Sequence, residues 1–131
     1  MKEYIQKTLQ FARKYPFSTL CVVLIWILSF LPFPESAPLS DVPFIDKWTH
    51  VVMYGGTCCV IWTEYRRRHP SPDFEELFFW AWLLPIVMSG AIELLQEYCT
   101  TYRGGEWLDL AANSTGVTLA VVYGLAFWKL V

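Results

Sequence analysis

The chain has 131 residues and a formal net charge of -2, with 55% hydrophobic, 18% aromatic and 17% charged residues. A soluble domain averages about 25% charged residues, so this composition, with a mean hydropathy of +0.35, excludes an ordinary water-soluble domain and points to helices that share their core with lipid. The length is that of one domain, and no nucleic-acid partner is expected.

Residues 1–14 interleave Lys2, Lys7, Arg13 and Lys14 with Tyr4, Ile5, Leu9 and Phe11, the pattern of a helix lying at a membrane surface. Basic residues before an apolar run also begin signal peptides, but Pro32, Pro34 and Pro38 crowd the place where small cleavage-site residues should sit. The run over residues 15–31 is therefore read as an uncleaved first span. The connection over 32–45 carries four prolines and is expected to be an extended surface loop.

Asp46 reads as the N-cap of a second span over residues 47–62, in which Gly55 and Gly56 permit close helix contact but weaken the helix locally. Arg66, Arg67 and Arg68 follow it. Asp73, with Glu76 three residues on, fits a capping box that opens a third helix with a span over 77–98, bent at Pro85. A turn over 100–105 leads to a fourth span over 107–128, where Ala112, Gly116, Ala120 and Gly124 recur every fourth residue as one narrow face. Trp26, Trp48, Trp62, Trp80, Trp82, Trp107 and Trp128 fall mainly near span ends or at lipid-facing positions, as an interfacial belt would. Cys21, Cys58, Cys59 and Cys99 lack the spacing of a zinc or redox motif and read as packing residues.

The expected fold is an all-α membrane protein, a compact four-transmembrane-helix bundle over residues 15–131 preceded by an interfacial segment. With the N-terminus cytoplasmic, the inner segments hold eight of the ten lysines and arginines, and only Lys47 and Arg103 lie outside. The basic-residue bias therefore places both termini in the cytoplasm.

That orientation gathers the unusual polar residues on the outer side. Asp46 and His50, Glu93 and Glu97, and Asp109 and Asn113 are each four apart, so each pair shares one helix face. His50, Glu93 and Asp109 are the candidate catalytic set, because a histidine beside carboxylates in a partly dry site can be tuned for proton transfer; the same groups also suit a buried network that fixes helix pairing. Asp46, Lys47, Tyr54, Gln96, Arg103 and Asn113 are the candidate ligand-binding set. Lys47 and Arg103 could grip a phosphate or equally neutralise Asp46, Glu93 or Asp109, and Gly104 and Gly105 could turn backbone N–H groups towards an anion. Imidazole and carboxylates can bind zinc or manganese, but no ligand motif argues for it, and no metal or cofactor is expected.

The stretches DKWTHVVMY (Asp46, Lys47, His50, Tyr54), ELLQ (Glu93, Gln96) and RGGEWLDLAANSTG (Arg103, Asp109, Asn113, Gly116) together resemble the VanZ-like family of bacterial membrane proteins over residues 17–124. The resemblance implies a compact multi-pass helical fold in the bacterial cytoplasmic membrane. It also implies a link to the cell envelope, since the family's namesake is associated with resistance to the lipoglycopeptide teicoplanin. The leading expectation is a protein whose outward polar cup binds a membrane lipid or a lipid-linked, phosphorylated cell-wall intermediate. Two other readings stay open: an enzyme acting on a lipid-linked phosphate or ester at the outer leaflet, and a structural membrane subunit.

Overall fold

The computed structural model describes residues 1–31, 45–101 and 105–127, all of which fall in helices or short connections, with no strand among them. The expected loop over 32–45 falls almost wholly outside these residues, as do Arg103, Gly104 and Trp128.

The first helix, α1 (Lys2–Lys14), buries none of its side chains. It turns by 109° into α2 (Pro16–Phe30), which starts with proline in its first turn, where a missing N–H costs nothing. A carboxylate from far along the chain supplies part of the cap: the Phe17 N–H donates to Glu64 Oε2 at 3.1 Å. Tyr15 Oη also meets His69 Nε2 at 2.5 Å, so both ends of the α1–α2 bend are tied to the far end of the next helix.

That helix, α3 (Ile45–Arg68), runs unbroken through Gly55 and Gly56 and buries His50, Tyr54, Thr57, Cys58, Trp62, Glu64 and Tyr65. Asp46 lies inside its first turn rather than capping it. There its carboxylate still complements the positive end of the helix dipole.

Asp73 is the N-cap of α4 (Phe74–Phe78), accepting from the N–H groups of Glu75 and Glu76. The reciprocal half of the expected capping box is absent. Tyr65 stands in its place, donating to Glu76 Oε2 at 2.9 Å while its oxygen receives the Asp73 N–H at 3.3 Å. Asp73→Ala removes both cap bonds and is expected to cost about 1 kcal/mol, read as a lower midpoint in thermal unfolding of the detergent-solubilised protein.

One π-helical turn over Phe79–Leu83 joins α4 to α5 (Leu84–Cys99). The Leu84 N–H reaches back to the Phe79 carbonyl, five residues away, which is how a helix absorbs a residue next to a proline. Pro85 thus sits just after a wide turn, and the helical path is continuous from Phe74 to Cys99.

The last helix, α6 (Trp107–Ala126), buries Asp109, Asn113, Gly116, Val117, Ala120 and Gly124. Its small-residue face is what lets α3 approach. A Cβ on Gly116 would lie 2.3 Å from the Val51 carbonyl oxygen, and one on Gly124 would fall 2.2 Å from the Trp62 ring. Trp62 is therefore 1% exposed, seated flat on Gly124 and edge-on to Phe78 at 5.7 Å. It belongs to the core and not to an interfacial belt.

Two helical runs, Phe74–Cys99 and Trp107–Ala126, are long and apolar enough to cross a membrane, and α1 with α2 makes a third if that bent pair is one span. The expected second span is not among them: α3 carries Asp46, Lys47, His50 and Glu64, and it turns its polar and aromatic residues towards its neighbours. A cavity of about 540 Å³ remains beneath α1, between α2, α3 and α5, walled by Phe11, Val22, Ile61, Trp80 and Met88 and reaching Tyr54 at its inner end.

Candidate functional site

The polar residues converge where α3 and α6 both begin, so two positive helix ends face one cluster of carboxylates, which such ends favour. Lys47 is its centre. Its ammonium donates to Asp46 Oδ2 at 3.1 Å, Glu106 Oε2 at 2.6 Å and Asp109 Oδ1 at 2.5 Å. It is committed to three carboxylates, the neutralising role that stood beside phosphate binding in the sequence.

His50 is held from below. Asn113 Nδ2 donates to Ser89 Oγ at 2.7 Å, which turns Asn113 Oδ1 towards His50 Nδ1 at 2.9 Å. A carbonyl oxygen can only accept, so the proton sits on Nδ1. His50 Nε2 then faces Asp46 Oδ1 at 3.7 Å and Asp109 Oδ2 at 3.6 Å. Each aspartate thus gives one oxygen to Lys47 and turns the other to the imidazole. Two carboxylate oxygens and one imidazole nitrogen converge there.

The side chains run from an open rim to a dry floor. Asp46 and Glu106 are 62% and 57% exposed and Lys47 23%, against 10% for His50 and 7% for Asp109. Below them Asn113 and Ser89 are completely enclosed.

Glu93 joins this constellation through the backbone of Glu106. Its Oε2 accepts the Glu106 N–H at 2.9 Å, and Glu97 Oε2 accepts the Gly105 N–H at 2.8 Å. Carboxylates of α5 thus take the backbone donors just ahead of α6, so Gly105 does not offer its N–H to an external anion as expected. The approach is close: a Cβ on residue 105 would lie 2.4 Å from the Glu93 carbonyl oxygen.

Gln96 is 2% exposed and donates to the Ser29 carbonyl at 2.7 Å, binding α5 to the last turn of α2. Tyr54 is fully buried beneath the cluster and away from its rim. Arg103 lies outside the described residues. Of the six candidate ligand residues, Asp46, Lys47 and Asn113 meet the candidate catalytic pair His50 and Asp109.

Two members, Glu106 and Ser89, lie outside the candidate set drawn from the sequence. Glu106 is the N-cap residue of α6, and an acid three residues before Asp109 was the available signal. Ser89 shares a helix face with Glu93 four residues on, but its partner, Asn113, comes from another helix. Comparisons with protein-family models, with curated proteins and with solved structures return no match to this chain.

Proposed function

We propose that this chain is a four-span protein of the bacterial cytoplasmic membrane, of the VanZ-like kind, whose outward polar cup binds the head group of a membrane lipid or of a lipid-linked, phosphorylated cell-wall intermediate. In this reading both termini are cytoplasmic and α3 crosses the membrane within the bundle, where its polar residues face protein rather than lipid. The supporting observation is the gradient of exposure, from Asp46 and Glu106 at the rim to His50 and Asp109 at the floor. A network built only to pair helices has no need of an open rim.

The charge of the cup shapes what it takes. Hydroxyl and ammonium donors of a head group fit Asp46 and Glu106, whereas its phosphate requires positive charge from Arg103 or from a bound ion. Native mass spectrometry of protein purified from bacterial membranes should show retained phospholipid or lipid-linked phosphate that is lost from Arg103→Ala and Glu106→Gln. Equal retention in both variants would count against a head-group site.

One observation favours an enzymatic second reading: His50 Nε2 between two carboxylates is suited to acid or base catalysis on a phosphate or ester. Turnover of lipid-linked phosphates that survives His50→Gln would remove it.

A further inference from the structure

We infer that Asp46, His50 and Asp109 form a binding site for a divalent transition-metal ion, of the zinc or manganese class, at the floor of the proposed cup. The inference rests on that head-group reading only in naming what the ion would serve.

Asp46, His50 and Asp109 each offer one ligand atom within 4.8 Å of the others', and His50 Nε2 faces Asp46 Oδ1 and Asp109 Oδ2. Their N···O separations of 3.6 and 3.7 Å exceed the roughly 3.2 Å limit of an N–H···O hydrogen bond. They come close to the separation of about 3.4 Å that two ligands take around one tetrahedral ion at about 2.0–2.2 Å.

The second observation is independent of the carboxylates. His50 is 8% exposed, and its Nε2 makes no hydrogen bond among the described residues, only the two longer approaches to Asp46 and Asp109. Its Nδ1–H is fixed on Asn113, which is fixed in turn by Ser89, the outer support by which proteins aim a histidine lone pair at a metal. The electrostatics agree. Among the described residues Lys47 is the ammonium bonded to the carboxylates of Asp46, Glu106 and Asp109, and a divalent ion would add positive charge beside two of them. Lys47 bonds the opposite oxygens of both aspartates, so it need not leave. One imidazole with two carboxylates suits zinc or manganese, and the ion would supply the charge that Lys47 cannot lend to a head-group phosphate.

The test is titration of EDTA-treated, full-length protein in detergent with Mn²⁺, followed by electron paramagnetic resonance. Manganese favours oxygen and nitrogen ligands, so the four cysteines do not compete. The expected result is one ion per chain with a nitrogen coupling, displaced by an equivalent of Zn²⁺. Asp46→Asn, a change at an exposed side chain that leaves the fold intact, should weaken binding by about tenfold or more, Asn113→Ala by about ten- to a hundredfold, and Glu76→Gln at the other end of the bundle not at all. No stoichiometric ion, or equal binding in wild type and Asp46→Asn, overturns the site. Lipid retention measured in the same EDTA-treated sample separates the two ideas: lipid kept with no ion bound sinks the metal alone, and an ion bound with no lipid retained in either state sinks the head group alone.

Discussion

Lys47→Met, assayed in EDTA, is expected to destabilise the protein by about 3–5 kcal/mol, the largest effect of any single charge removal at the cup. Methionine preserves most of the apolar stem, so the change isolates the ammonium. In its absence Asp46, Glu106 and Asp109 lose the ammonium that they share. Asp109 is 5% exposed and cannot turn to water for relief. An uncompensated buried carboxylate is the costly case, in contrast to an exposed ion pair, which contributes about 0–1 kcal/mol. Combining Lys47→Met with Asp109→Asn should therefore recover more than half of the loss, because the second change removes the stranded charge. Thermal or denaturant unfolding of the two single variants and the double variant gives the coupling directly. A loss below about 1 kcal/mol in Lys47→Met would mean that Lys47 behaves as a surface ion pair, and the site would lose its centre. Adding Mn²⁺ back should stabilise Lys47→Met more than wild type, since the ion then meets carboxylate charge that Lys47 no longer shares.

The same residues show what a sequence can and cannot disclose. Helical spacing of four placed Asp46 with His50 and Asp109 with Asn113, because a face shared within one helix depends only on helix geometry. The small-residue face of α6 was legible for the same reason, and Gly116, Ala120 and Gly124 are all buried. Partnerships between helices were not. Lys47 reaches Glu106 and Asp109 across 59 and 62 positions, and nothing in the local pattern says that it will be saturated by three acids. Glu93 looks equivalent to Asp109 in sequence, yet the close passage of residue 105 over the end of α5 turns it to a backbone N–H instead. Trp62 looks like an interfacial anchor until the missing side chain of Gly124 provides its seat. Glu64 is 8% exposed and caps a helix 47 positions away. Pro85 follows a π turn over Phe79–Leu83 that no local pattern in the sequence announces.

The crossing of α3 and α6 sets the depth and spacing of the cup, and Gly116→Ala is expected to disturb it by about 2–3 kcal/mol through overpacking. The new Cβ would lie 2.3 Å from the Val51 carbonyl oxygen and 2.9 Å from the Gly55 nitrogen. Both are backbone atoms, so no side-chain rotamer can relieve the contact, and the helices must separate by about 1 Å to reach van der Waals distance. That separation falls beside the site. Val51 follows His50, and Asn113 lies one turn before Gly116 on α6, so the His50–Asn113 hydrogen bond at 2.9 Å lengthens with it. Mn²⁺ binding should weaken together with stability, although residue 116 touches none of the donor atoms. Gly56→Ala is the matched comparison on α3, because nothing lies within 4 Å of the added methyl. There the gain in helix propensity should stabilise the protein by about 0.5–1 kcal/mol. Equal unfolding midpoints for Gly116→Ala and wild type would mean that the backbones do not meet at this point, and the convergence of His50, Asp109 and Asn113 would need another cause.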